Sequence, residues 1–146
     1  MKGGGDLEIR TVSKSTLVDA LRPHYQRFAI AILFGGDRLS CCDEVFVALE
    51  GEELLGAVTL APKGEQMSGQ PTIVALWVHP EWRRQGIARA LLVRAIERMA
   101  ERDLTPVRID ALSSKMSVLV NQLPEPLRQQ VRLIETDLPV DSLLDL

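Results

Sequence analysis

The residues of this chain best suited to chemistry are Arg83-Arg84-Gln85-Gly86-Ile87-Ala88, a short basic loop turning through one glycine. It lies between an apolar run at 72–78 and a stretch from Ile87 in which apolar residues recur at helical spacing. The first turn of a helix has N–H groups without intrahelical acceptors, and the helix dipole puts partial positive charge at the same place. Gly86 has no side chain, so a bulky anion can approach the main chain there. Arg83 and Arg84 can add charge-assisted hydrogen bonds to phosphate oxygens. An ordinary solvated turn would use the same residue types. What favours a phosphate site is the context, a strand apolar on both faces before the loop and a long amphipathic helix after it.

Those two elements carry clear patterns. Under strict alternation Ile73, Ala75 and Trp77 share one face and Val74, Leu76 and Val78 the other, as in a central strand covered on both sides. Pro80 ends the run because proline cannot donate to a ladder. The helix presents Ile87, Leu91, Ala95 and Met99 as an apolar stripe, flanked by Ala88, Leu92 and Ile96. Its arginines, Arg89, Arg94, Arg98 and Arg102, read as a solvated face on which Glu97 and Glu101 offset part of the charge.

Elsewhere, residues 6–12 suggest a first strand, and Ser13 or Ser15 can cap a helix beginning near Thr16 with Leu17, Val18 and Leu21 inward. Pro23 interrupts it. Residues 25–34 read as a second helix, apolar nearly all round and ended by Gly35-Gly36. Runs at 44–48 and 54–60, separated by Glu50-Gly51-Glu52-Glu53, make a hairpin, and 62–71 is a loop. A strand at 106–111 has Val107 and Ile109 inward with Arg108 and Asp110 outward. A helical stretch from 114 is interrupted by Pro124 and Pro126, and 131–134 reads as a last strand.

A chain of 146 residues, 46% hydrophobic, suits one domain over 1–146 with a sizeable core, residues 1–5 being expected to be disordered. Its net charge of −3 argues against a nucleic-acid partner. The N-terminal residues do not read as a signal peptide, and the longest apolar run, 28–34, is far short of the roughly 20 residues that span a bilayer. A cytoplasmic protein with no membrane partner is expected. Cys41 and Cys42 are adjacent, which suits neither a structural disulfide nor spaced metal ligands, so no metal is expected. A homodimer is expected through the second helix and the tail at 138–146, with Leu143, Leu144 and Leu146.

The loop Arg-x-x-Gly-x-Ala, with Val78-His79-Pro80-Glu81-Trp82 before it, resembles the pyrophosphate loop of the GNAT-type N-acetyltransferases. The element order from about 6 to 136 is also similar to that family's. The resemblance implies an α/β (α+β) fold: a mixed, mostly antiparallel central sheet with helices on both faces and strands four and five splayed apart. It implies acetyl-CoA as co-substrate, with no metal, and a primary amine of a small molecule or peptide as acceptor. The coenzyme would bind through the main chain of Leu76, Trp77 and Val78 and through Arg83, Arg84, Gln85, Gly86, Ile87 and Ala88.

Catalytic residues are less clearly marked. Many family members have a tyrosine acid on the helix after strand five, where this chain has Asn121 or Val120 and then Pro124 to Pro126 in place of Gly-Phe; the one tyrosine, Tyr25, is far away in sequence. Candidate bases are Glu81 and His79 at the strand end, Asp110 on the adjoining strand, and Asp43 and Glu44 at the second strand. Preorganised main-chain donors near the thioester can supply much of the rate without a dedicated side chain. The resemblance therefore leaves two classes open: an N-acetyltransferase, or an acyl-CoA-binding module of little or no turnover acting as a regulatory or interaction protein.

Overall fold

A computed structural model of the chain, which describes residues 7–24, 42–64, 69–111 and 114–135, arranges six strands in one sheet of order β1-β2-β3-β4-β5-β6. The strands are β1 (Glu8–Thr11), β2 (Glu44–Glu50), β3 (Glu53–Ala61), β4 (Thr72–Val78), β5 (Val107–Ala111) and β6 (Val131–Glu135). Helices α1 (Lys14–Leu21), α2 (Ile87–Glu101), α3 (Ser114–Asn121) and the single turn α4 (Glu125–Arg128) connect them. The first four strands pair antiparallel, whereas β4 with β5 and β5 with β6 pair parallel. The expected second helix at 25–34, Tyr25, Cys41, residues 1–5 and the tail at 138–146 lie outside the described residues, as does part of the 62–71 loop.

Each face of the sheet has its own core. On one side α2 buries the stripe expected of it, Ile87, Ala88, Leu91, Leu92, Ala95, Ile96 and Met99, against Phe46, Val58, Leu60, Leu76 and Val78. On the other side α1 buries Leu17 and Leu21 against Val45, Val47, Ala57, Ala75 and Trp77, with Cys42 in the same cluster. Ser13 caps α1, its Oγ accepting from the Thr16 N–H at 3.2 Å.

Strand β4 corrects the strict alternation expected of it. Thr59 lies opposite Ala75 but Leu60 lies opposite Ile73, so Val74 is an extra residue on β4. Such a bulge shifts the parity of the strand. Ile73 consequently shares the α2 face with Leu76 and Val78, while Val74, Ala75 and Trp77 pack together on the other. The pairing with β5 holds only for Thr72 with Arg108 and Ile73 with Ile109, then ends where the bulge begins. The two strands part from that point toward their C-terminal ends, leaving a fork.

Gly56 decides how closely α2 can sit over the fork. It lies opposite Val78, and a Cβ there would meet the Trp77 carbonyl oxygen at 2.7 Å and the Leu91 side chain at 3.0 Å. The start of α2 rests on bare backbone at this position.

The far end of α2 is fixed by charge. Arg98 donates from Nε to both oxygens of Glu44, at 3.0 and 2.8 Å, and from Nη2 at 2.8 Å; Arg102 adds contacts of 3.1 Å to Glu44 and to Asp43. Arg94 stacks over Phe46, 5.0 Å from the ring centroid, and pairs with Glu101. The expected solvated face therefore also ties the helix to the start of β2, at the opposite end of the sheet from Val78. Asp43 and Glu44 are occupied there and cannot serve as bases at the strand end.

Two predictions follow from this packing. Gly56→Ala forces backbone apart and should cost about 1–3 kcal/mol in urea denaturation. Hydrogen bonding from Arg98 holds the Glu44 carboxyl below its ordinary 4.5. Its contribution to stability is therefore complete above that value and is lost as pH falls through the lower, folded-state pKa. The stability difference between wild type and Glu44→Gln should be constant near neutrality and shrink below about pH 4.5, as read by denaturation at a series of pH values.

Candidate functional site

The loop after β4 is built from the core outward. Pro80 opens a one-turn 3-10 helix, Pro80–Trp82, whose start is capped by His79: its Nδ1 accepts the Glu81 N–H at 3.1 Å. Trp82 drops into the α2-side core and its indole N–H reaches Glu53 Oε1 at 3.4 Å. Arg83 folds back, its Nε donating to the Val78 carbonyl at 2.9 Å. With Trp82 and Arg83 anchored, the next residues project outward, and Arg84, Gln85 and Gly86 are exposed.

Arg84 at φ 64° and Gly86 at φ 84° are both left-handed, two residues apart. Gly86 is followed directly by right-handed, helical Ile87, and such a pair curls successive N–H groups toward one concavity, the geometry of an anion nest. Helix α2 starts at once, with Gly86 at its N-cap and no side chain capping it; the first intrahelical bond is Ala90 N–H to the Gly86 carbonyl, 3.0 Å. The amides of Ile87, Ala88 and Arg89 precede that bond and point out of the helix end. A Cβ on Gly86 would meet nothing within 4 Å, so the cradle opens into space that a ligand can enter. A pyrophosphate fits these residues: main-chain donors, a helix N-terminus and an exposed guanidinium at Arg84.

The fork lies beside this cradle. His79 N–H donates to the Leu55 carbonyl at 2.7 Å, so Val78 and Gly56 form a non-hydrogen-bonded pair whose main-chain groups turn away from each other. The same alternation turns Leu76 toward the side that β5 has left. Trp77 faces the other way, its main chain pairing with Ala57 and its indole buried in the α1-side core. Of the three β4 residues expected to meet the coenzyme through their main chain, Leu76 and Val78 face the fork. The Val78 carbonyl is already held by Arg83.

The candidate catalytic side chains do not converge. His79 and Glu81 are joined through the turn they cap, and Glu81 is exposed. Asn121 is exposed at the last turn of α3, and its neighbour Val120 is core. Asp110 lies on β5 one residue past the last β4–β5 pair, on the sheet face opposite α2. Its Oδ1 takes Arg108 Nε and Nη2, each at 3.0 Å, while Arg108 Nη1 reaches Gln70 Oε1 at 3.0 Å. Sequence reading missed Gly56 and the anchoring role of Trp82; an isolated glycine within an apolar strand was the available signal for the first. Among the described residues there is no group of three or more His, Cys, Asp or Glu placed to hold a metal, and no helix long and apolar enough to cross a membrane.

The chain belongs to the acetyltransferase (GNAT) family, whose sequence profile matches residues 14–115. Solved structures with the same fold include an aminoglycoside acetyltransferase from an uncultured soil metagenomic sample, in complex with sisomicin. It is 19% identical, with a TM-score of 0.56 over 81% of this chain and 88% of that one. A ribosomal-protein-alanine N-acetyltransferase from Brucella melitensis biovar Abortus 2308 is 17% identical, with a TM-score of 0.55 over 93% and 84% of the two chains. A predicted acetyltransferase from Clostridium acetobutylicum, solved with acetyl-CoA, is 17% identical, with a TM-score of 0.52 over 73% and 81%. No curated protein matches the sequence significantly.

Gly86→Ala separates backbone strain from steric blockage. The methyl group has room, but φ 84° is a conformation that L residues resist. The variant should fold and lose about 1–2 kcal/mol in denaturant unfolding.

Proposed function

We propose that this protein binds acetyl-CoA across the α2 N-terminus and the β4–β5 fork and transfers the acetyl group to a primary amine of a small molecule or peptide. The observation that carries this reading is the pairing of an uncapped helix start, curled by Arg84 and Gly86, with a strand fork whose Leu76 and Val78 main chain is turned inward. The amides of Gly86, Ile87 and Ala88 and the Arg84 side chain would hold the pyrophosphate, and Gln85 would lend its amide. Arg83 keeps the loop fixed to Val78 so that these donors need no rearrangement on binding. Bound acetyl-CoA supplies an activated carbonyl. The chain's part is to orient it, exclude water from it, and present the β4 main chain to it as polar contacts. The similarity in fold to acetyltransferases of aminoglycosides and of a ribosomal protein supports an amine acceptor and leaves its size open.

One observation favours a second reading. The position where many family members carry a tyrosine acid holds Asn121, an exposed amide that cannot donate a proton in acid catalysis. A coenzyme-binding module of little turnover is the outcome consistent with that replacement.

Calorimetry with acetyl-CoA tests the proposal. Wild type should bind and Gly86→Ala should bind more weakly. Gly86→Glu, which sets a carboxylate in the cradle, should lose at least about tenfold in affinity, equivalent to about 1.4 kcal/mol. Equal binding by wild type and Gly86→Glu, or none by wild type, would reject the site. Release of free thiol from acetyl-CoA in the presence of amines would distinguish the enzyme from the binding module.

A further inference from the structure

The carboxylate of Asp110 is half engaged. Both Arg108 donors that reach it, Nε and Nη2, go to Oδ1 at 3.0 Å. Oδ2 carries no hydrogen bond to another described residue, although the side chain is only 30% exposed. Arg108 is itself fixed: its Nη1 is held by Gln70, and its main-chain N–H donates to the Pro71 carbonyl at 2.7 Å. The carboxylate is thus anchored by one oxygen to the closed end of the fork and presents the other.

Its place in the sheet adds to this. Ile73 with Ile109 is the last β4–β5 pair, so Asp110 is the first residue of β5 beyond the apex. Ile109 belongs to the core under α2, which turns Asp110 to the opposite face, the face of Ala75 and Trp77. A coenzyme anchored at the α2 N-terminus and threaded into the fork would bring its thioester to the apex from the α2 side. An amine would then have to approach from the opposite face, the one to which Asp110 is turned. His79, the competing base, has Nδ1 occupied by the Glu81 N–H, and Asp43 and Glu44 are bound to arginines at the far end of α2.

From this geometry we infer that Asp110 Oδ2 receives the ammonium group of the acceptor and is the proton acceptor of the transfer. This rests on the reading that acetyl-CoA occupies the fork. The ammonium loses one proton through Oδ2 to water. The neutral nitrogen forms the C–N bond with the carbonyl carbon, and the C–S bond breaks with its electron pair on sulfur. The second proton shed by nitrogen passes through Oδ2 to the thiolate. Amide and free thiol result, one proton is released to solvent, and the carboxylate is regenerated.

The test compares two small nucleophiles on wild type and Asp110→Asn. The asparagine keeps an oxygen for Arg108 and so preserves the clamp. Methylamine is protonated at neutral pH and needs the carboxylate, whereas hydroxylamine is not. Asp110→Asn should bind acetyl-CoA as wild type does by calorimetry. It should release thiol about 100-fold more slowly with methylamine, and lose much less with hydroxylamine. In the free protein, carbodiimide labelling read by mass spectrometry should modify Asp110 and spare Glu44, whose two oxygens are both engaged. An equal fall with both nucleophiles, no fall with either, no acceleration of methylamine by wild type, or an unlabelled Asp110 would each overturn the inference. Absence of acetyl-CoA binding by wild type would instead remove the reading beneath it.

Discussion

The architecture depends on two parallel strands that stop pairing after two residues. β4 and β5 are joined at Thr72 with Arg108 and at Ile73 with Ile109, and the extra residue Val74 bends β4 as the pairing ends. A sheet interior normally satisfies every backbone N–H and C=O with a neighbouring strand. Here β3 takes one edge of β4, and on the other edge the main chain of Leu76 and Val78 turns toward the side that β5 has left, the Val78 carbonyl being taken by Arg83. Beyond the last β4–β5 pair, β5 continues in its own direction, supported by β6 over five residue pairs. The polar groups of a central strand are thereby left without a strand partner on one edge.

The cradle at the end of β4 is a second consequence of packing. The amides before Ala90 are useful only if the helix start is set close to the strand end and held still. Gly56 permits the first by leaving no Cβ between β3 and the Ile87–Leu91 face of α2. Trp82 in the core and Arg83 on the Val78 carbonyl fix the short connection between them. At the other end of α2, Glu44 takes Arg98 and Arg102 together, and these partly buried, multiply hydrogen-bonded pairs set the direction of the helix. The basic segment therefore divides by position: Arg84 at the front is exposed, and Arg98 and Arg102 at the back are neutralised by the sheet.

A chain of negative net charge thus presents basic and main-chain donor groups together at one place. Overall charge of −3 sets long-range behaviour, but an ordered cradle acts over a few ångströms through fixed dipoles. The departures from the family's pattern lie in the helix after β5, where Val120 is core and Asn121 faces solvent.

Much of this was legible from local pattern. The 3.6-residue repeat from Ile87 to Met99 named every buried residue of α2 that faces the sheet, and Val107 and Ile109 were correctly placed inward, because helix and strand periods are properties of the backbone alone. The loop motif, too, marked the glycine at the helix start, since both are local features. The sequence could not place the bulge at Val74, which depends on the register that β3 imposes and which reversed the expected side of Ile73. Nor could it pair Arg98 and Arg102 with Glu44, some 54 and 58 residues distant, or Arg108 with Gln70, 38 residues away. Those outcomes belong to tertiary structure because strand register, helix docking and the partner of each charge are settled only when segments far apart in the chain compete for the same space and the same hydrogen bonds.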